Sequence, residues 1–383
     1  MRRAVIFLAL GLLLAGAFGL GFALSDGRGT PSAAAPRTPS IVEAVRNDLA
    51  ARYYRALPAN VLAQRSIRSM IAALDDPYTE YLSGPAFRLL RRETAGRYSG
   101  IGITLLPSPG GLLVAATEPG PGRRAGIRAG DTIVRIGAVR TEKMGLESAL
   151  GRLSGPEGTV VRLRVQRAGQ PFDFTVRRAI VRSPTVSSKL IRIGADRYGY
   201  VAVSAFRSDT AADLARAVRR LRSTRPAGMV LDLRGNPGGL LDQAVAVTSL
   251  FLSRGRVVTL EGAHRPREVY QVSGHPVAPR LPLVVLVDRY TASSAEVVAA
   301  ALHDNGRAIL VGEHTYGKAV VQSIDPLANG GALALTTARY FTPAGADISR
   351  KGVRPDVHAV EPPGSRTDAA LAAALTALAA ARS

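Results

Sequence analysis

Ser293-Ser294-Ala295-Glu296 follows the wholly apolar run Leu283–Val287 and opens a stretch with helical spacing, Ala295–His303. A serine at the junction of a buried strand and a helix meets amide N–H groups that point toward it and can stabilise an oxyanion. The same four residues spell Ser-x-x-Glu, a capping box expected at any helix start. The serines therefore gain chemical meaning only from a partner able to take a proton. Lys318 is such a partner. Arginine stays protonated in proteins, whereas a buried lysine can become a neutral base. Only four of the fifty basic residues are lysines, and Lys318 leads into Ala319-Val320-Val321, read here as part of a strand over Lys318–Ile324. An ammonium among apolar neighbours is costly, and desolvation lowers its pKa toward the range useful to a general base. Gln322 lies four residues on. With a strand period of two it projects from the same face, so its carbonyl can hold the amine as the third member of a triad. Taken singly, a solvated lysine on an edge strand and a solvated glutamine would account for both. Gly238-Gly239 also follows a buried strand and precedes a helix. Its loop has neither the spacing of a dinucleotide fingerprint nor the Gly-Lys-Ser/Thr of a phosphate loop. That leaves a tight turn, or unhindered amides lining an oxyanion hole beside Ser293.

The elements that must position these residues alternate from Tyr198 onward. Strands are expected at Gly199–Phe206, Met229–Leu233, Leu283–Val287 and Ile309–Val311, with helices at Thr210–Arg222, from Gly239 to Phe251, and at Ala295–His303. Strand–helix alternation predicts an α/β core with parallel strands over 183–363. Before it, residues 91–182 carry strand-like runs at Ile101–Leu106, Leu112–Thr117, Thr132–Ile136, Val160–Val165 and Phe172–Val176, with one short helix at Leu146–Leu153. This is a small, mostly β module. Residues 41–90 read as a helical unit, with two helices broken near Pro58 and Asn60, and 364–383 as an alanine-rich terminal helix.

Met1-Arg2-Arg3 precedes 21 residues, Ala4–Leu24, without a charge. At about 1.5 Å per residue this run matches a hydrocarbon core of roughly 30 Å. The arginines should stay cytoplasmic and send the remainder across the membrane. The length favours a retained transmembrane anchor over residues 1–24, while Ala23-Leu24-Ser25 would suit cleavage as a signal peptide, leaving a secreted protein. Residues 25–40, rich in Pro, Ala, Gly, Ser and Thr, read as a flexible linker.

Composition narrows the chemistry. There is no cysteine, so disulfides and thiolate metal sites are excluded, and no two of the five histidines stand at the spacing of a zinc-binding helix. Neither cofactor nor metal is expected. The formal charge of +21 invites an anionic partner. The arginines are spread evenly, however, without a basic block or an RNA-binding signature, so nucleic-acid binding is not expected.

Several stretches together resemble the carboxyl-terminal processing, or tail-specific, proteases: Leu231–Gly239 (LDLRGNPGG), Thr291–Glu296 (TASSAE), Gly312–Gln322 (GEHTYGKAVVQ) and Gly352–Asp356 (GVRPD). Leu74–Leu82 (LDDPYTEYL) and Ser99–Ile103 (SGIGI) are similar to the family's segments before and within its PDZ domain. The resemblance runs in order from Ile41 to Pro363. It implies an α/β protease core with a Ser-Lys site and a PDZ domain inserted ahead of it. It implies Ser293 as nucleophile, Lys318 as general base 25 residues later, and Gln322 orienting the base. The amides of Ser294 and Gly239 (with Gly238 as the other possibility) would form the oxyanion hole. The family commonly has Ser-Ala-Ser-Glu where this chain has Ser293-Ser294-Ala295-Glu296. A second hydroxyl thus adjoins the nucleophile, and spacing selects Ser293. The implied PDZ domain would add an extended substrate tail as a strand and hold its carboxylate on the loop Gly100, Ile101, Gly102 and Ile103. The expected activity is that of a serine endopeptidase acting outside the cytoplasm on proteins with disordered, apolar C-terminal tails. A catalytically silent, membrane-tethered PDZ scaffold and a charge-driven binder of anionic surfaces are the competing readings.

Overall fold

The computed structural model describes residues 40–274, 276–360 and 367–381. The anchor and nearly all of the linker expected over 1–40 lie outside the described residues. Among the described residues, no helix is long and apolar enough to cross a membrane. The chain forms two compact units: Arg91–Pro184, and the segments on either side of it taken together.

The larger unit is built on a six-stranded sheet. Val186–Ile193 pairs antiparallel with Asp196–Val203, and then Gly228–Asp232, Leu283–Val287, Ile309–Gly312 and Val357–His358 follow in parallel. Every residue of Gly228–Asp232 and Leu283–Val287 is buried, as expected for parallel strands covered on both faces. Helices Thr210–Arg222, Leu241–Ser249 and Ser294–Asp304 cover one face, where Leu214, Val218, Val247 and Val298 meet Leu231, Val285 and Val287. Helix Ala369–Ala380 covers the other, burying Ala370, Ala374 and Leu378 against Val230, Val284 and Val311.

A second, antiparallel sheet in the same unit centres on Ala332–Phe341. It pairs with Glu80–Leu82, Arg256–Gly262 and Val320–Pro326, and Arg265–Gln271 extends it. Two expectations need correction here. Residues 41–90 are not a unit of their own: Val45, Leu49, Tyr53 and Met70 pack on Leu333 and Leu335 of this sheet. They also hold three short helices before Gly84, namely Ile41–Arg52, Ala59–Leu62 and Ile67–Ala72, because Ser66 caps a fresh start by accepting the N–H of Ser69. Lys318 stands outside its expected strand. The ladder begins at Val320, and Lys318 lies in the extended run that leads into it.

In the smaller unit, Ile103–Ser108, Gly111–Thr117, Thr132–Ile136, Val160–Arg167 and Gln170–Arg177 form an antiparallel sheet in that order, with Val139–Arg140 paired beside the third. Val160–Arg167 alternates between exposed and buried, the period of a half-covered strand. Ile101, Ile103, Val114, Ile133 and Val165 form the core with Ala149 and Leu153 of the helix Leu146–Leu153. Ile103–Ser108 is an edge strand of this sheet.

Candidate active site

Strand Leu283–Val287 delivers the chain to a turn that ends on Ser293, the N-cap of helix Ser294–Asp304. Ser293 has φ 54° and ψ −123°. For a residue with a Cβ this backbone costs on the order of 1–3 kcal/mol and must be held by its surroundings. A serine on a sharp strand-to-helix turn is the geometry by which hydrolases present a nucleophile. Here the turn is pinned from several sides. Ala292 N–H donates to Asn236 O (2.9 Å), and Thr291 Oγ1 donates to Leu233 O (2.9 Å). Asp288 Oδ1 accepts from Gly235 N–H (2.9 Å) and Tyr290 N–H (3.0 Å). The Ser293 turn and the glycine loop thus form one bonded block.

Within the glycine loop Asn236 is fully buried; its Nδ2 donates to Val203 O (2.9 Å) and its Oδ1 accepts the Gly238 N–H (2.8 Å). Gly238 has φ +102°, and a Cβ there would sit 2.8 Å from the Cβ of Ser293. Glycine is required because the loop lies directly against the serine. Ser294 Oγ donates to Gly239 O (2.8 Å), which engages the second hydroxyl. The N–H groups of Gly239 and Ser294 find no acceptor among the described residues, whereas that of Gly238 is used by Asn236. Gly239 and Ser294, rather than Gly238, therefore keep a free amide.

The segment that bears Lys318 approaches from the other sheet. Lys318 Nζ donates to Gln322 Oε1 (2.9 Å), and Gln322 Nε2 donates to Tyr78 O (2.5 Å). The pairing of Val320–Pro326 with Ala332–Phe341 is irregular between Val321 and Gln322, yet the two side chains meet. Burial brings the lysine from its ordinary 10.5 down to about 8, against the opposing pull of Glu80, Asp76 and Glu296. No hydrogen bond joins Ser293 Oγ to Lys318 Nζ in this structure; the amine rests on Gln322.

What binds the serine turn to the lysine segment is Glu296, with no exposed surface. Its Oε2 accepts Ser293 N–H (2.8 Å) and Lys318 N–H (2.9 Å), and its Oε1 accepts Gly317 N–H (2.7 Å) and the Thr315 hydroxyl. Burial pushes this carboxyl above the usual range in spite of four donors. Tyr340, from the centre of the antiparallel sheet, adds a second tie, its hydroxyl reaching Ser293 O (3.1 Å) and Lys318 O. Sequence reading gave Glu296 only the role of a cap partner and passed over Thr315, Tyr340 and Tyr78. The one local signal was an acidic residue within Ser294–Leu302, all of which is buried.

In the smaller unit Gly100 closes a short strand, Ile101 is buried, Gly102 has φ +75° and Ile103 begins the edge strand. The carbonyls of Ile101 and Gly102 accept from Gly122 N–H (2.6 Å) and Glu118 N–H (3.0 Å), and the N–H groups of both find no acceptor among the described residues. The four residues therefore lie together as one loop. Among the described residues no group of three His, Cys, Asp or Glu side chains is placed to hold a metal ion.

Comparison with known proteins agrees in both units. Residues 197–359 match the model of peptidase family S41, and residues 113–167 that of the PDZ domain. The chain is 36% identical over 335 residues to a carboxyl-terminal-processing protease of Picosynechococcus sp., covering 84% of this chain and 80% of that one. It is 36% identical over 304 residues to the chloroplastic carboxyl-terminal-processing peptidase 2 of Arabidopsis thaliana, covering 76% of this chain but 59% of the plant protein's length. It is 32% identical over 313 residues to a carboxy-terminal processing protease of Bacillus subtilis, covering 81% and 66%. Among solved structures, the photosystem II D1 C-terminal processing protease aligns over 83% of this chain and 92% of its own at 32% identity and a TM-score of 0.53. The chain belongs to peptidase family S41, the carboxyl-terminal-processing proteases, and carries that family's PDZ domain.

Proposed function

We propose that this protein is a serine endopeptidase that cleaves proteins near their C-termini through an acyl-enzyme, with Ser293 as nucleophile, Lys318 as general base and Gln322 orienting the base. The observation that carries this reading is the clamp at Glu296: one buried carboxylate binds the strained serine turn and the segment bearing a lysine with a pKa lowered to about 8. At neutral pH a useful fraction of that amine is unprotonated. In the reaction the amine leaves Gln322 for the serine hydroxyl, whose proton it accepts as Oγ attacks the scissile carbonyl. The developing oxyanion is met by the free amides of Gly239 and Ser294. Collapse expels the amine fragment, which takes the proton from the lysine. Water, deprotonated by the same lysine, then releases the acyl group and restores Ser293. The hydroxyl of Ser294 is engaged on Gly239 O, which favours Ser293 as the attacking group.

The PDZ unit is assigned the capture of a disordered, apolar C-terminal tail. An open edge at Ile103–Ser108, beside free amides at Ile101 and Gly102, suits addition of a strand that ends in a carboxylate. The N-terminal apolar segment is assigned to the membrane, placing both units outside the cytoplasm. The deciding experiment is digestion of an unfolded protein with an apolar C-terminal tail by the wild type and by Ser293→Ala. Cleavage by the wild type alone is expected; cleavage by both would remove Ser293 from the role of nucleophile, and cleavage by neither would replace the protease reading with that of a PDZ scaffold.

A further inference from the structure

The turn Asp75–Thr79 and the short strand after it are remote in sequence from the base, yet they surround it. Asp76 fixes the turn: its Oδ1 accepts Tyr78 N–H (3.0 Å) and its Oδ2 accepts the hydroxyls of Thr79 (2.7 Å) and Tyr53 (3.3 Å). Thr79 Oγ1 in turn accepts Thr336 N–H (3.1 Å), anchoring the turn to the central antiparallel strand. So held, Tyr78 meets the site twice. Its carbonyl accepts from Gln322, and its ring lies under Lys318 Nζ with 5.0 Å between nitrogen and ring centroid. A cation at that distance from a tyrosine face is attracted by the ring quadrupole, and more so where water is excluded.

We infer that Tyr78 is a positioning residue for the base, its ring face orienting Lys318 and stabilising the ammonium that forms as Ser293 gives up its proton. The inference rests on the Ser-Lys reading above. Its physical logic is a balance. Burial favours the neutral amine, which supplies free base at rest but would also make that base weak. Groups that favour the cation must offset part of the burial. Asp76 and Tyr78 belong to the turn and Glu80 opens the strand that follows it, and Glu80 and Asp76 are the carboxylates that raise the lysine most. Glu296 adds a smaller pull from the helix that Ser293 caps, and the charged or titratable groups that act on Tyr78 itself are Tyr316, Asp76, Glu296, Arg350 and Tyr340. The carboxylates act through space, whereas the ring also sets direction, because the attraction is strongest over its face.

The test is the acid limb of the pH profile of kcat/KM for a tailed protein substrate, measured on the full chain. Tyr78→Phe keeps the face and should keep both rate and limb. Tyr78→Leu removes it and should move the limb down by roughly half to one pH unit, with kcat reduced about three- to tenfold and KM unchanged. Should Tyr78→Leu fold poorly, fluorinated phenylalanines at position 78 weaken the face without changing its shape, and the limb should step down with each added fluorine. A limb that stays in place through the Leu variant or the fluorinated series overturns the inference, whatever happens to the rate. Lys318→Arg, run alongside, separates the two readings. If it cleaves at the wild-type rate, the Ser-Lys mechanism itself has failed. If it is inactive while the limb ignores residue 78, only the role of Tyr78 has.

Discussion

Replacing Lys318 by methionine should destroy activity and stabilise the fold, with a pH signature that no purely structural lysine would give. The lysine is brought from 10.5 to about 8 by burial. Between those values the folded protein binds fewer protons at this site than the unfolded chain, so this group makes stability rise with pH across that window. Well below pH 8 the amine is almost wholly protonated in both states, and nearly the full cost of the buried ammonium, about 3 kcal/mol as an upper bound, bears on the fold. Methionine fills a similar volume without that cost. It also leaves Gln322 Oε1 without the donor it has at 2.9 Å, a loss of about 1 kcal/mol. The net expectation is a gain of about 2 kcal/mol at pH 7, which shrinks and then reverses as the pH climbs through 8 toward 10.5. Urea unfolding of both proteins at intervals from pH 6.5 to 10, with peptidase assays on the same samples, measures the two halves. Activity should fall by at least about 10²-fold. A stability difference that does not vary with pH would show that the lysine is an ordinary ammonium in the fold, and the reasoning about a neutral base would collapse with it.

The other expectations concern the block that surrounds the serine. Ser293→Ala should abolish acyl-enzyme formation with a covalent serine probe, whereas Ser294→Ala, which loses one bond to Gly239 O worth about 1 kcal/mol, should stay within tenfold of the wild type. Gly238→Ala places a methyl 2.8 Å from the Cβ of Ser293 and 2.9 Å from Ala292 O; kcat should fall on the order of 10²-fold with circular dichroism unchanged, as a misplaced nucleophile requires. Glu296→Gln turns an NH2 group toward two of the four donors and should cost about 3–6 kcal/mol in urea unfolding; a loss under 1 kcal/mol would mean the clamp is not formed in solution.

How much of this was legible in the sequence depended on the distance over which each contact acts. Leu283–Val287 and Thr210–Arg222 could be read to the residue because a continuous apolar run and a strong helical stripe are local signals. The second half of the N-terminal helices could not, because Ser66 competes with the helix for its own backbone. Lys318 was placed in a strand on the evidence of its apolar neighbours, but a ladder starts where a partner strand is, and the partner offers Arg339 to Val320. The Lys318–Gln322 contact was visible since four residues separate the two. The carbonyl that holds Gln322 belongs to Tyr78, 244 residues earlier in the chain, and no periodicity reports on such a pair. Glu296 was hidden differently. Its spacing fits a capping box so well that the box explained it away, while its other three donors come from Thr315, Gly317 and Lys318.

The proposed nucleophile and its base descend from different sheets, the serine and glycine loop from the parallel one and the lysine from the run entering the antiparallel one. Reach between hydroxyl and amine is therefore a property of the seam where the two layers meet, crossed at this point by Glu296 and Tyr340. A slip of about 1 Å along such a seam is enough to cost roughly two orders of magnitude in rate while every strand keeps its own ladder. The enzyme can thus be idled like a disengaged gear, whole in fold and silent in chemistry.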